Sequence, residues 1–315
     1  MKVWRHLSEA REGSRPSVVT IGNFDGVHRG HQSVLDTVVS VANARGLASV
    51  VVTFDPHPAY VHRPQEAAPL LTGQKDKLEL LQEQGIDATF VVPYNLEFAQ
   101  HTPEAFIRTY IVEALHARTV VIGQDVRFGR GNSGDLTTLK SLGETYGFDV
   151  VVVDDFGFPD GGHRWSSSVV RQLVYGGEMG AVTQLLGRQH RMRGIVVHGD
   201  ARGRDLGFPT ANMSADSSGM VPADGVYAGW VTVVGGGEEF EHLPAAVSIG
   251  TNPTFDGQER RVEAYVIDRD GLDLYGKEII VEFVDRLRPT IAFDNMESLV
   301  TQMHDDVARA REILN

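Results

Sequence analysis

The sequence predicts two successive folding units, an α/β unit built on a parallel sheet and then an antiparallel β unit that ends in a helix. Three observations predict this. In the first part of the chain, β-branched runs that are apolar on both faces alternate with amphipathic stretches of ten or more residues, the pattern of a parallel sheet covered on each side. After MGAVTQLLGRQH (179–190) glycines crowd in and strand-like runs follow one another with little helix between them, which points to an antiparallel barrel or sandwich. A chain of 315 residues with 42% hydrophobic and 23% charged content is long and apolar enough for two cores.

In chain order the sheet strands are SVVTIG (17–22), ASVVVTFD (48–55), ATFVVPY (88–94), TVVIG (119–123) and DVVVVDD (149–155). Between them lie helical patterns in HQSVLDTVVSVANARG (31–46), QKDKLELLQEQG (74–85), EAFIRTYIVEAL (104–115) and LTTLKSLGETYG (136–147). Ligands of such sheets sit at the carboxyl ends of the strands. GNFDG, FDPHP, GQDVRFGRG and DDFGF all fall at those ends, so the motifs share one rim. The second unit draws its strands from RGIVVHG (193–199), GVYAGWVTVV (225–234), PAAVSIG (244–250), RRVEAYVID (260–268) and EIIVEFVDRLR (278–288), with GGGEE (235–239) at a hairpin tip. Apolar residues recur at helical spacing in NMESLVTQMHDDVARAREIL (295–314), which should pack against those strands. The junction falls near residues 186–190, giving units 1–187 and 188–315, with no long linker, internal repeat or low-complexity tract.

Composition excludes several function classes. A formal net charge of −13 argues against nucleic acid or an anionic membrane surface as partner, because both reward basic surfaces. Any anionic ligand must then be held by local groups. No apolar run approaches the roughly 18 to 20 residues of a membrane span, and MKVWRHLSEAREG lacks the apolar core of a secretion signal. The absence of cysteine removes disulfides, thiolate zinc sites and cysteine nucleophiles together, and a cytoplasmic protein is expected.

The stretch GNFDGVHRGHQ (22–32) places two histidines at the mouth of a helix. Gly22 to Gly26 reads as a strand-to-helix turn, and Gly30 allows close approach of the backbone to a ligand. His28 falls at or just before the first helical turn and His31 one turn along, so both rings can reach a group held over the helix N-terminus. That terminus favours anions through its unpaired N–H groups and dipole, which makes phosphate the natural guest. A zinc site would need a third ligand, for which Asp55 and His57 of FDPHP are available, although HExxH is absent. Capping of the helix without chemistry is the third reading of the pair.

Taken with the motifs downstream, GNFDGVHRGHQ resembles the HxGH signature of the nucleotidyltransferase superfamily. In this longer form the sequence resembles the bacterial bifunctional riboflavin kinase/FMN adenylyltransferase (FAD synthetase) family over essentially the whole chain. TFDPHP (53–58), IGQDVRFGRGNSGD (122–135) and the SSSVVR run ending at Arg171 follow in the order of the adenylyltransferase half. HGDARGRDLGFPTANM (198–213), GVYAGWV (225–231), SIGTNPTF (248–255) and VEAYVIDRDGLDLYGKEI (262–279) resemble the kinase half. The resemblance implies a Rossmann-like nucleotidyltransferase domain followed by a β-barrel kinase domain with a C-terminal helix. It implies a pathway from riboflavin and ATP to FMN, then from FMN and ATP to FAD, with Mg²⁺ in both steps, by a monomer or transient homo-oligomer.

In the adenylyl step so implied, the phosphate of FMN attacks the α-phosphorus of ATP and expels pyrophosphate, a reaction carried by positioning and electrostatics. His28 and His31 would contact the ATP phosphates, and Gly22, Asn23, Phe24, Asp25 and Gly26 would lie against the nucleotide. Asp125 would belong to the site, with Ser167, Ser168 and Arg171 gripping the phosphates. Ser167 and Ser168 can equally cap the VVRQLVYG helix. The sequence departs from the family pattern where ISST becomes WSSS, with Trp165 and Ser168, and where GxDFRFG becomes GQDVRFG, with Val126 in the place of an aromatic.

The kinase step moves the γ-phosphoryl of ATP to a primary ribityl hydroxyl, which calls for Mg²⁺ and a carboxylate near the nucleophile. No GxxxxGK[ST] occurs, which excludes a P-loop kinase. FPTAN (208–212) resembles the family's PTAN motif, in which Thr210 and Asn212 would ligate Mg²⁺ and contact the phosphates. Glu263 matches the family's proposed general base, and period-two alternation sets it on the face opposite Val262 and Val266. Arg202 and Arg204 of HGDARGR are candidate phosphate contacts on a flap.

Other classes remain. GRGNSG (129–134), with Asp154 20 residues on, satisfies a dinucleotide fingerprint, but the preceding strand ends at Gly123, before the glycines open. An NAD-dependent oxidoreductase is therefore the weaker alternative. A flavin-binding protein that has lost one or both activities is another, and a metal-dependent hydrolase a third.

Overall fold

Strands Lys2–Trp4 (β1), Ser17–Ile21 (β2), Ala48–Asp55 (β3), Ala88–Pro93 (β4), Ala117–Gly123 (β5) and Asp149–Val153 (β6) form one sheet in the order β1-β4-β3-β2-β5-β6, every pair parallel. The computed structural model describes residues 1–154, 165–199, 206–254, 257–269 and 271–315. Strand order reverses at β2, which has β3 on one side and β5 on the other, and this opens a crevice at the carboxyl ends of β2 and β5.

Period-two alternation divides the strand residues between two cores. Val19, Val50, Val52, Phe90 and Val120 face one core with Ile107, Ile111, Leu115 and Leu139. Val18, Val51 and Val121 face the other with Leu35, Val38, Leu80 and Leu81. The helices that supply these residues are Leu7–Gly13 (α1), Arg29–Arg45 (α2), Gln74–Glu83, Pro103–Phe106 running into a π-helical stretch Ile107–Ala114, and Leu136–Tyr146. With the short Pro58–His62 counted as α3, these continue as α4, α5 and α6.

The second unit begins with Ser167–Gly176 (α7) and Met179–Leu186 (α8). Strands His190–Val197 (β7), Ala211–Met213 (β8), Gly225–Val233 (β9), Leu243–Thr254 (β10), Gly257–Val266 (β11) and Glu278–Arg288 (β12) close a barrel in the order β10-β11-β8-β7-β12-β9. Every pair in it is antiparallel, so the barrel is the form taken rather than the sandwich. The C-terminal helix Met296–Leu314 (α9) packs Val307, Ala310, Ile313 and Leu314 on Ala228, Ala246 and Ile267. Arg288 of β12 holds it with a two-pronged bond to Asp306, Nε to Oδ1 at 2.9 Å and Nη2 to Oδ2 at 2.7 Å. By packing, one compact unit comprises Met1–Ala68 with Gln74–Ser166 and the other Pro69–Gly73 with Ser167–Asn315.

The sequence pattern misses β1, α1, α3 and β8, which span three to seven residues and so carry too few periods to register. One expectation needs correction: α7 starts at Ser167, so the preceding Ser166 takes the capping position and Ser167 and Ser168 form the first turn. Three consecutive serines are equivalent caps by sequence.

Candidate active sites

The turn after β2 is built around a strained backbone. Gly26 takes a left-handed φ of 81°, and so do two residues with side chains, Phe24 at 50° and Val27 at 39°. At the two non-glycine positions this costs about 1–3 kcal/mol each. Phe24 and Val27 are 3% and 1% exposed within the α2 core, and burial of each side chain returns about 1.5–3 kcal/mol. The turn is thereby anchored from below while the Asn23 side chain stays exposed.

His28 is the N-cap of α2, its Nδ1 accepting from the His31 backbone N–H at 3.4 Å. With Nδ1 accepting, neutral His28 carries its proton on Nε2. The two imidazoles stack, ring centroids 3.7 Å apart and planes 20° from parallel, and Phe24 meets His31 edge-on at 5.1 Å. Burial, reinforced by the charges of His28 and Lys77, holds His31 well below the ordinary histidine range. Among the described residues its Nδ1 has no hydrogen-bond partner. A Cβ at position 30 would stand 3.2 Å from the His28 ring, which is why a glycine is needed there.

Beside Gly22 and Asn23 opens a cavity of about 840 Å³, walled by Phe54, Tyr94, Phe98, Phe106 and Phe128, with His57, His62, Arg127 and Val126 also on its lining. The aromatic rings interlock at right angles, Phe54 with Tyr94 at 5.5 Å and Phe98 with Phe106 at 5.9 Å. The sequence reading missed this wall, because its members come from separate strand ends and helices. Asp125 is exposed just past β5, within 3.6 Å of where a Cβ on Gly123 would sit. Ser167, Ser168 and Arg171 lie on α7 in the second unit, where Arg171 Nε donates to the Pro69 carbonyl at 2.8 Å. His57 caps α3 through Nδ1, and among the described residues no group of three or more His, Cys, Asp or Glu could hold a metal.

In the barrel unit the PTAN residues and Glu263 are brought together by strand register. Glu263 of β11 pairs with Asn212 of β8 on one side and Ser248 of β10 on the other. Thr210 Oγ1 donates to Glu263 Oε2 at 3.4 Å and accepts from Asn212 Nδ2 at 3.4 Å. Asn212 is buried, and among the described residues its Oδ1 has no hydrogen-bond partner. A Cβ on Gly199 would lie 2.5 Å from the Asn212 amide, so the chain after β7 passes directly over that group. Arg202 and Arg204 lie outside the described residues.

Alternation along β11 gives these residues two cavities. Ala264 and Val266 line one of about 510 Å³ with Val196, Leu274 and Tyr275, and His198 stacks on Tyr275 at 3.9 Å. Glu263 and Tyr265, on the opposite face, line one of about 290 Å³ with Phe208, Phe293, Met303 and Arg288. Thr210 borders both. For a divalent cation the donor set is hard oxygen, Thr210 Oγ1 and the unsatisfied Asn212 Oδ1, with the Glu263 carboxylate beside them. That set is too small to enclose an ion and fits one that keeps water and phosphate in its shell, as Mg²⁺ does.

Comparison with known proteins agrees with this division. The FAD synthetase family model matches residues 10–169 and the riboflavin kinase family model residues 186–314. A bifunctional riboflavin kinase/FMN adenylyltransferase from Escherichia coli (strain K12) is 38% identical over 308 residues, covering 98% of this chain and 95% of that protein. One from Listeria monocytogenes is 36% identical over 291 residues, 92% of this chain and 90% of that protein. A solved structure described as a macrolide-efflux protein from Streptococcus pneumoniae has 30% identity and a TM-score of 0.86, covering 98% of each chain. Among the described residues no helix is long and apolar enough to cross a membrane. The chain belongs to the bifunctional riboflavin kinase/FMN adenylyltransferase family.

Proposed function

We propose that this chain makes FAD in two steps at two separate sites, phosphorylating riboflavin to FMN in the barrel unit and adenylylating FMN in the parallel-sheet unit. Both activities are those of the family. The observation that carries the assignment of the kinase site is the position of Thr210 between two cavities on opposite faces of β11, with Glu263 on the wall of one of them. ATP is assigned to the larger cavity and riboflavin to the smaller, where Phe208, Tyr265 and Phe293 offer ring contacts. Transfer of a phosphoryl group needs the two ligands to meet, and Thr210 marks where they would.

Glu263 then accepts the proton of the ribityl hydroxyl as that oxygen attacks the γ-phosphorus, the bond to the β–γ bridging oxygen breaks and ADP leaves. Thr210 and Asn212 are the residues that would hold Mg²⁺, which supplies charge neutralisation across the ATP phosphates. Arg202 and Arg204 are proposed phosphate contacts from the flap.

In the parallel-sheet unit the FMN phosphate attacks the α-phosphorus of ATP, pyrophosphate leaves, and little proton transfer is required. The chain supplies position and donors instead: the turn Gly22, Asn23, Phe24, Asp25 and Gly26 against the nucleotide, and the N-terminus of α2 toward the phosphates. His28 and His31 donate ring N–H groups to them. Asp125 is a further proposed contact of this unit, and Ser167, Ser168 and Arg171 of α7 are kept as the phosphate contacts that membership of the family implies. The aromatic cavity beside Asn23 is the proposed seat of the isoalloxazine ring, with Val126 giving apolar cover where the family pattern has an aromatic. We place the protein in the cytoplasm, where both substrates are made and used. Incubation with riboflavin, ATP and Mg²⁺, followed by chromatography over time, should give FMN first and FAD after a lag. Flavin bound without turnover would replace this reading with that of a carrier.

A further inference from the structure

We infer that Lys77 is a positioning residue for adenylyl transfer: from beneath the Gly22–Gly26 turn its ammonium group fixes the Asn23 carbonyl, and with it the backbone that leads into His28 and His31. The inference rests on the reading of that turn as the adenylyl-transfer site. Lys77 lies on α4, is 7% exposed, and points its Nζ at three oxygens at the carboxyl ends of β2 and β3. These are the Asn23 carbonyl at 3.3 Å, Thr53 Oγ1 at 3.2 Å and the Phe54 carbonyl at 3.5 Å. Thr53 Oγ1 itself donates to the Asn23 carbonyl at 3.1 Å, so one peptide oxygen is gripped by two side chains from two elements.

Burying an ammonium group is expensive, and a leucine would fill the space for core purposes alone. What a leucine could not do is tie the turn to β3. Asn23 lies between Gly22 and the left-handed Phe24, where the strained backbone has no regular ladder to hold it. The nearby carboxylates of Asp25 and Asp55 favour the charged form of Lys77, against the burial that lowers its pKa. The same positive charge adds to burial and to His28, the larger causes, in lowering the pKa of His31. Lys77 therefore acts first on the backbone position and only secondarily on the ring, which burial keeps neutral.

The test is the full chain carrying Lys77→Met, which keeps the length and removes the charge, and Lys77→Arg, which restores it. FAD synthesis from FMN, FMN synthesis from riboflavin, and the titration of the His31 ring by NMR are measured in each. For Lys77→Met we expect kcat of FAD synthesis to fall about 100-fold, the size of effect a small misplacement produces, with KM for ATP changed less than about threefold. FMN synthesis should stay within about twofold of the parent, and the His31 midpoint should rise while staying below that of an ordinary histidine, since burial remains. Lys77→Arg should recover the His31 midpoint and part of kcat. FAD synthesis at the parental rate in Lys77→Met would overturn the role of Lys77 alone, whereas a parent chain that makes no FAD from FMN would overturn the adenylyltransferase reading and the role with it. Should Lys77→Met lose both activities through misfolding, the parent and Lys77→Arg decide. A parental His31 midpoint at the ordinary histidine value, or no recovery of FAD synthesis in a folded Lys77→Arg, counts against the inference.

Discussion

The two proposed sites would handle phosphate with different materials. In the parallel-sheet unit the proposed phosphate donors hang mainly from one continuous piece of chain, a strained turn that runs into a helix N-terminus and carries two stacked imidazoles. In the barrel the proposed working atoms are oxygens of Asn212 and Glu263 on paired strands and of Thr210, which lies just before β8 and borders two cavities. The first arrangement offers ring and backbone N–H donors and assigns no carboxylate the part of a base. The second puts a carboxylate and a candidate cation site side by side, as a reaction that must remove a proton requires. A chain of net charge −13 can thus bind polyanions twice, because in each case the attraction is local.

If the division is real, each site can be broken alone, and the largest effects should come from the residues that touch the reacting groups. Glu263→Gln should lower FMN synthesis by about 10²–10⁴-fold, the usual worth of a general base, while FAD synthesis from added FMN proceeds at the parental rate. His28→Ala should do the reverse, abolishing FAD synthesis and leaving FMN synthesis nearly intact. Chromatography of the flavins measures both, and loss of both activities in either folded variant would collapse the two sites into one. Next in size, Asn212→Ala should raise the Mg²⁺ concentration needed for half-maximal FMN synthesis by at least about tenfold, with no change in the Mg²⁺ dependence of FAD synthesis. An unchanged requirement would remove Asn212 from the cation site.

Smaller effects sharpen the contrast. Because His31 in the folded chain titrates below the ordinary histidine value, the unfolded chain takes up a proton that the folded one refuses once the pH drops below about 6.5. His31 therefore contributes stability above that pH that is lost on acidification. The melting temperature of the parallel-sheet unit should fall between pH 7.5 and 5.5, and His31→Asn should flatten that slope; equal slopes in the two proteins would mean His31 is not held neutral. Smallest of all, Gly30→Ala brings a methyl to 3.2 Å from the His28 ring. A few-fold drop in FAD synthesis is expected, with FMN synthesis untouched.

The contrast also explains which parts could be read from sequence. The stretch from Gly22 to His31 is contiguous, so its turn, cap and histidine spacing are written in one line of residues. The long strands and helices show for a related reason, since their periods repeat several times. Glu263 is different. On a strand it looks like any solvated glutamate, and only the register of β11 with β8 sets it beside Thr210 and Asn212, so the resemblance to a known motif identified it where periodicity could not. Lys77 escaped notice because it sits in QKDKLELLQEQG among other charges, and its burial depends on how α4 lies against the ends of β2 and β3. The aromatic wall of the large cavity went unseen for the same reason, as Phe54, Tyr94, Phe98 and Phe128 come from four separate segments.

The most direct test of two independent sites is an equimolar mixture of the Glu263→Gln and His28→Ala proteins given riboflavin, ATP and Mg²⁺. The account predicts that FMN accumulates from the His28→Ala chain and is then converted to FAD by the Glu263→Gln chain, although neither protein alone makes FAD from riboflavin. A mixture of two folded variants that yields no FAD would contradict it.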